Sequence, residues 1–182
     1  LVAAESPHLD ETLEQIAHIS RDLVGAKYAA LGVPDARGQM KYFKTSGMPL
    51  EDILKIPHPP IGKGLLGAII HERETIRLEN FQNDPRSSGF PENHPPMYDL
   101  LGVPIQLSNQ LFGMLYLCDR KDGLPFDEND QWLVETLAGY AALAMIGSEL
   151  TEQQARLRLL EDRERIGMEL HDGVIQSLYA IG

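Results

Sequence analysis

Cysteine is nearly missing from this chain: Cys118 stands alone among 182 residues. One thiol cannot form an internal disulfide, and no set of cysteines is available to hold zinc or an iron–sulfur cluster. Chemistry that needs an attacking and a resolving cysteine is excluded as well. Basic residues are also in deficit, with 16 Lys and Arg against 27 Asp and Glu, for a formal net charge of −11. That balance argues against a nucleic-acid surface. By eye, no stretch approaches the ~18 apolar residues of a membrane span, and nothing has the layout of a signal peptide. A reducing cytoplasm is the expected compartment. The first residue is Leu1 rather than methionine, and Gly182 falls inside an apolar helical pattern, so the sequence reads as a segment of a longer chain.

What is present, 43% hydrophobic residues, suffices for one good core plus an extended helix. Leu9, Leu13, Ile16, Ile19, Leu23 and Val24 recur at helical spacing, which predicts an amphipathic helix from about Asp10, ended by Gly25. The run Tyr28-Ala29-Ala30-Leu31-Gly32-Val33 suits a buried strand, and residues 39–45 return as a second one after the turn Asp35-Ala36-Arg37-Gly38. A helix followed by a hairpin opens an α+β domain. Residues 49–56 read as a short helix that stops at Pro57-His58-Pro59-Pro60.

Gly62-Lys63-Gly64-Leu65-Leu66-Gly67 fits a G-x-G-x-x-G pattern. Prolines rather than a strand precede it, so it reads as a turn into a helix over residues 65–72 and not as a nucleotide loop. Residues 75–78 alternate as a third strand. Residues 80–96 are irregular and long for a connection, the kind of loop that often carries function. Residues 98–101 read as a helical turn. Residues 102–107 and 110–118 are strong strands joined by Ser108-Asn109.

Asp127, with Asp130 three residues later, caps the last helix. Leu133, Leu137, Tyr140, Leu143 and Ile146 form the face expected against the domain. Leu150, Leu157 and Leu160 continue at sparse heptad-like spacing, and the step from Leu160 to Ile166 is six rather than seven, which shifts the register. Residues 149–165 are charged outside that stripe. They are expected to pair with a second copy in a parallel coiled coil, making a homodimer.

Near the end, Ile166, Leu170, Val174, Leu178 and Ile181 make one helical stripe. His171 lies one step, ~100° of arc, beyond Leu170, at the stripe's edge. A neutral imidazole there can reach solvent and attack an electrophile. Asp172 can hold the imidazole tautomer and accept its proton. Gln176 is four residues past Asp172 and shares its face.

Arg163-Glu164-Arg165 followed by His171 and the spacing H-D-x-x-x-Q resembles the phosphoacceptor helix of two-component sensor histidine kinases of the nitrate/nitrite-sensor type. The resemblance implies that His171 takes a phosphoryl group from ATP bound in a separate domain. It implies that Asp172 is the acid/base partner and that Gln176 positions water when the phosphorylated response regulator is dephosphorylated.

The order of elements resembles a GAF domain over roughly residues 5–147, carried by residues 10–31 and 64–78, by Gly102-Val103-Pro104-Ile105 and by Phe112-Gly113-Met114-Leu115-Tyr116-Leu117. This implies a sensory module with a five- or six-stranded antiparallel sheet that holds a small molecule over one face. The expected division is residues 1–147 as sensory domain, 148–165 as signalling coiled coil and 166–182 as the start of the phosphotransfer helix.

Gly89-Phe90-Pro91-Glu92-Asn93-His94-Pro95-Pro96-Met97 further resembles the segment that carries the haem ligand in the mycobacterial dormancy sensor kinases. That implies His94 as iron ligand and Tyr116 as hydrogen-bond donor to bound oxygen or nitric oxide. With no C-x-x-C-H attachment site, such haem would be non-covalent.

Another small ligand, or a module that only aligns two kinase helices, stays open as an alternative. Bilin attachment is disfavoured because Leu117-Cys118-Asp119 is the wrong context. His8, His18, His58 and His71 are expected to be surface or locally satisfied residues.

Overall fold

The computed structural model describes residues 7–35, 37, 39–57, 64–90 and 92–179. Of the sequence features above, Ala36, Gly38, His58, Gly62, Lys63, Pro91 and Ile181 lie outside the described residues. The chain divides into two compact units, Leu1–Met145 and Ile146–Gly182.

Helix α1 (Pro7–Leu23) begins three residues before the expected Asp10, and β1 (Ala26–Pro34) and β2 (Met40–Ser46) form the predicted hairpin. Then come α2 (Leu50–Ile53), α3 (Gly64–Glu72), β3 (Ile76–Leu78), a 3-10 turn (Phe81–Asn83), β4 (Leu100–Leu107), β5 (Gln110–Arg120) and α4 (Glu128–Tyr179). The five strands make one antiparallel sheet in the order β2-β1-β5-β4-β3. The architecture is α+β, as the sequence pattern predicts. Residues 98–101 are not a helical turn, since β4 already starts at Leu100.

Side chains alternate across the sheet, and each face has its own cover. One face carries Leu31, Leu101, Val103, Ile105, Leu115 and Leu117, all essentially inaccessible. Helix α1 covers it from one side, tied by Lys44 Nζ to Asp10 Oδ2 at 2.6 Å and by His18 to Ser46 at 3.2 Å. The start of α4 covers the other side. Arg77 donates to Gln131 Oε1 at 3.2 Å and to the Phe126 carbonyl at 3.1 Å, and Thr75 donates to Glu135 at 2.6 Å. The opposite face is covered by α3 through Leu65, Ala68 and Ile69.

The predicted cap of α4 is a reciprocal capping box. Asp130 N–H donates to Asp127 Oδ1 and Asp127 N–H donates to Asp130 Oδ2, each at 2.9 Å, which satisfies two otherwise orphaned amides. The buried face of α4 differs from the one expected. Val134, Ala138, Ala141, Ala142 and Met145 are buried, Leu133, Leu137 and Ile146 only partly so, while Tyr140 and Leu143 are 61% and 54% exposed. The buried side of the helix is thus a stripe of small residues, and Tyr140 and Leu143 are turned outward. An 18-residue window of this helix reaches a mean hydropathy of 1.2, enough by length and composition to cross a membrane, although the sequence reading found none.

Gly113 shows where backbone spacing is tightest. A Cβ there would fall 2.2 Å from the Gly32 carbonyl oxygen on β1. Gly113→Ala must push two paired strands apart, and is expected to cost about 3 kcal/mol by overpacking. Gly139→Ala, on α4 with open space around its Cβ, should instead stabilise by ~0.5–1 kcal/mol. Urea denaturation of both variants checks the pair, and equal midpoints would refute the close approach.

Candidate functional site

The α3 face of the sheet presents three cross-strand rows. Tyr28 of β1, Cys118 of β5 and Leu100 of β4 are paired in one row; Ala30, Tyr116 and Gly102 in the next; Gly32, Met114 and Pro104 in the third. Tyr116 therefore stands between two small neighbours, alanine and glycine. Ile69 Cδ1 sits where a Gly102 side chain would be, 2.3 Å from the position of its Cβ.

Above this floor Leu65, Ile69, Phe81 and Met97 are buried, with Met40, Met48, Leu66 and Ile70 partly buried against them. The space is filled rather than open. Four of the fillers, Met40, Met48, Met97 and Met114, are methionines, whose unbranched chains repack readily around an incoming group. None of the cluster's residues carries a formal charge.

The phenol of Tyr116 is pushed well above the usual tyrosine range, first by burial and then by Cys118. It makes no hydrogen bond to any described residue. The Cys118 thiol is raised by burial and by the carboxylates of Asp119 and Asp99, so it stays protonated and is a poor nucleophile. This supports the sequence argument against cysteine chemistry.

His94 comes from the loop before β4. Its Nδ1 lies 2.8 Å from the Pro95 carbonyl oxygen. A carbonyl only accepts, so Nδ1 carries a proton, and Nε2 is the nitrogen left to act as a ligand in the neutral ring. The same second-shell bond orients metal-bound histidines in general. The ring stacks on Phe90 with centroids 4.5 Å apart and planes 9° apart. Phe90 in turn meets Phe81 edge-on at 5.4 Å. His94 is thus joined to the apolar cluster through Phe90 and Phe81, while Tyr116 lies in the cluster's floor. No hydrogen bond or ring contact joins His94 to Tyr116.

A groove of about 450 Å³ opens beside this site, lined among others by Tyr28, Pro96, Tyr98, Asp99 and Asp119. The groove and the Asp99–Asp119 pair were not found by sequence reasoning, because the two aspartates are 20 residues apart. Asp127 with Asp130 was legible because the pair is local.

The second candidate site lies in the unit Ile146–Gly182. Backbone around His171 is helical within α4, and the His171 side chain is exposed. The side chains of Asp172 and Gln176 lie outside the described residues.

The GAF-domain family model matches residues 6–145. The chain belongs to the GAF-domain family. It is 28% identical over 148 residues to the rod cGMP-specific 3',5'-cyclic phosphodiesterase subunit alpha of Canis lupus familiaris, covering 74% of this chain and 17% of that protein. The chain therefore spans less than a fifth of that relative's length. Among solved structures, the GAF domain of a phosphoenolpyruvate-protein phosphotransferase from Coxiella burnetii superposes with TM-score 0.69 at 22% identity, covering 82% of this chain and 89% of that one. The GAF-B domain of DevS from Mycobacterium smegmatis superposes with TM-score 0.59 at 20% identity, covering 82% and 98%. These likenesses establish the GAF fold, and with it a signalling and sensory domain.

Proposed function

We propose that this GAF domain is the sensory part of a cytoplasmic two-component histidine kinase, and that its ligand state governs phosphorylation of His171. One observation carries the reading. A single helix starts at Glu128, within the GAF domain, and its helical backbone includes the H-D-x-x-x-Q segment that begins at His171. Asp172 is the acid/base partner, Gln176 positions water for dephosphorylation of the response regulator, and ATP comes from a separate domain of the parent protein.

A ligand can bias the kinase only if it binds two arrangements of α4 unequally. Leu150, Leu157, Leu160 and Ile166 are 53%, 59%, 49% and 50% exposed. That stripe supports a parallel homodimer along α4. Leu157→Lys is expected to convert a dimer at tens of micromolar (roughly the range for a short coiled coil) into a monomer by sedimentation. A wild type already monomeric there would refute the dimer.

Haem is the proposed ligand. The chemistry of the residues fits: an apolar cluster, a histidine whose Nδ1 bond leaves Nε2 as the ligand nitrogen, and a phenol with no hydrogen-bond partner among the described residues. When bound, haem would supply an iron able to take a diatomic gas. His94 would hold it, and Tyr116 would offer a hydrogen bond to the gas. A cyclic nucleotide is the second reading, favoured by the phosphodiesterase relative. The groove beside the cluster has Lys27 and Arg120 in its lining, cations that a cyclic phosphate could meet. Titration of the purified protein with hemin and with cGMP tests the choice. A saturable Soret shift at one equivalent supports haem, whereas thermal stabilisation by cGMP alone would replace it with a nucleotide.

A further inference from the structure

We propose that Asp119, with Asp99, forms a reciprocal latch that positions the His94 loop on the sheet, making Asp119 a positioning residue for the ligand site. The inference rests on the reading of His94 as the ligand-holding group.

Both aspartates are 8% exposed. Asp119 Oδ1 accepts the Tyr98 N–H at 2.9 Å and the Asp99 N–H at 3.3 Å. Asp99 Oδ1 accepts the N–H of Asp119 in return. Two carboxylates are thus buried beside one another to make backbone hydrogen bonds that a neutral amide could also make. Burial raises Asp99 above the usual carboxylate range, the backbone amides of Asp119 and Arg120 oppose this, and Asp119 raises it further.

Asp119 also holds φ at +55°, a left-handed conformation inside the last turn of a strand. Non-glycine residues rarely adopt it, although aspartate tolerates it better than most. That backbone turn is part of what sets the carboxylate under the amides of residues 98 and 99. Strain of this kind persists where the surrounding contacts fix it.

The latch is one of several anchors on the loop, among them the Asn93 side-chain amide, which donates to the Lys55 carbonyl at 3.5 Å. The Phe81 N–H donates to the Tyr98 carbonyl at 2.9 Å, and Gln82 Nε2 donates to the Met97 carbonyl at 3.2 Å. Phe81 also receives Phe90, on which His94 stacks. The His94 ring is therefore tied to Phe81 through its stack on Phe90, and the chain that follows it is tied to the Asp119 carboxylate at residues 98 and 99. The groove beside Tyr28 is lined by both latch residues and by Pro96 and Tyr98. Release of the latch widens the site where a ligand would enter.

Asp119→Gly removes the carboxylate without a penalty at positive φ, and Asp119→Asn keeps an acceptor and removes only the charge. Amide exchange and the imidazole ¹⁵N signals of His94 are measured without ligand. For Asp119→Gly, exchange at residues 92–94 and 97–99 should quicken at least tenfold while β1 amides keep their protection. His94 should lose its fixed Nδ1–H tautomer. Asp119→Asn should stay within a few-fold of wild type in both.

Unchanged exchange in Asp119→Gly overturns the latch. Faster exchange with unchanged His94 signals overturns the positioning role and leaves a plain structural tie. In a parallel arm hemin should dissociate at least tenfold faster from Asp119→Gly than from wild type, and an equal rate counts against positioning. If wild type takes up no hemin, the haem reading fails, while the two ligand-free measurements still decide the latch.

Discussion

His171→Gln in the complete kinase is expected to abolish transfer of phosphoryl from ATP to this chain, a loss of at least ~10³-fold. The argument is chemical. A neutral imidazole nitrogen carries an in-plane lone pair that can attack phosphorus, and the glutamine amide nitrogen has its lone pair delocalised into the carbonyl. The side chain at position 171 is exposed and belongs to the unit Ile146–Gly182, so the GAF domain should keep its folded stability. Asp172→Asn should retain the nucleophile but slow labelling by ~10²-fold or more, the usual worth of a positioned acid/base. Radiolabel from [γ-³²P]ATP, stable to base and lost in acid, is the readout. Label persisting on His171→Gln would remove the phosphoacceptor assignment.

The second large effect is expected at His94. His94→Ala should lose most hemin and the Soret band of the reconstituted protein. Two features make the effect large. The ring is pre-oriented by its Nδ1 bond to the Pro95 carbonyl and by the Phe90 stack, so little ordering remains to be done on binding. The cluster is otherwise apolar and offers no second strong donor besides the protonated Tyr116 and Cys118. Tyr116→Phe should keep hemin and weaken gas binding by ~1–2 kcal/mol, the worth of one hydrogen bond. Identical spectra for wild type and His94→Ala would end the haem proposal. Loss of hemin on Tyr116→Phe alone would keep the pocket and reverse the roles.

Much of the fold was legible because its signals are local. All five strands and their hairpin turns follow from alternation and turn residues, and the Asp127–Asp130 box follows from a three-residue spacing. The face of α4 was misread for a physical reason. A stripe drawn through the large apolar residues takes in Tyr140 and Leu143, whereas the buried side of the helix runs through Val134, Ala138, Ala141, Ala142 and Met145, where alanine gives only a weak hydrophobic signal. The sequence reads residues 98–101 as a helical turn; in the structure the Asp119 carboxylate accepts the amides of Tyr98 and Asp99 and β4 starts at Leu100, a long-range pairing that no local window reveals. His94 and Tyr116 were found by resemblance. The small neighbours of Tyr116, Ala30 and Gly102, are apparent only once the strand register is known.

The central claim is that occupancy of the GAF site controls His171. The most direct measurement is the initial rate of His171 labelling by ATP in the complete kinase, with and without one equivalent of hemin, at saturating nucleotide. The account predicts rates that differ at least about fivefold, equivalent to roughly 1 kcal/mol of coupling between the sites. It also predicts that His94→Ala removes the difference. Equal rates with hemin demonstrably bound to wild type would contradict it.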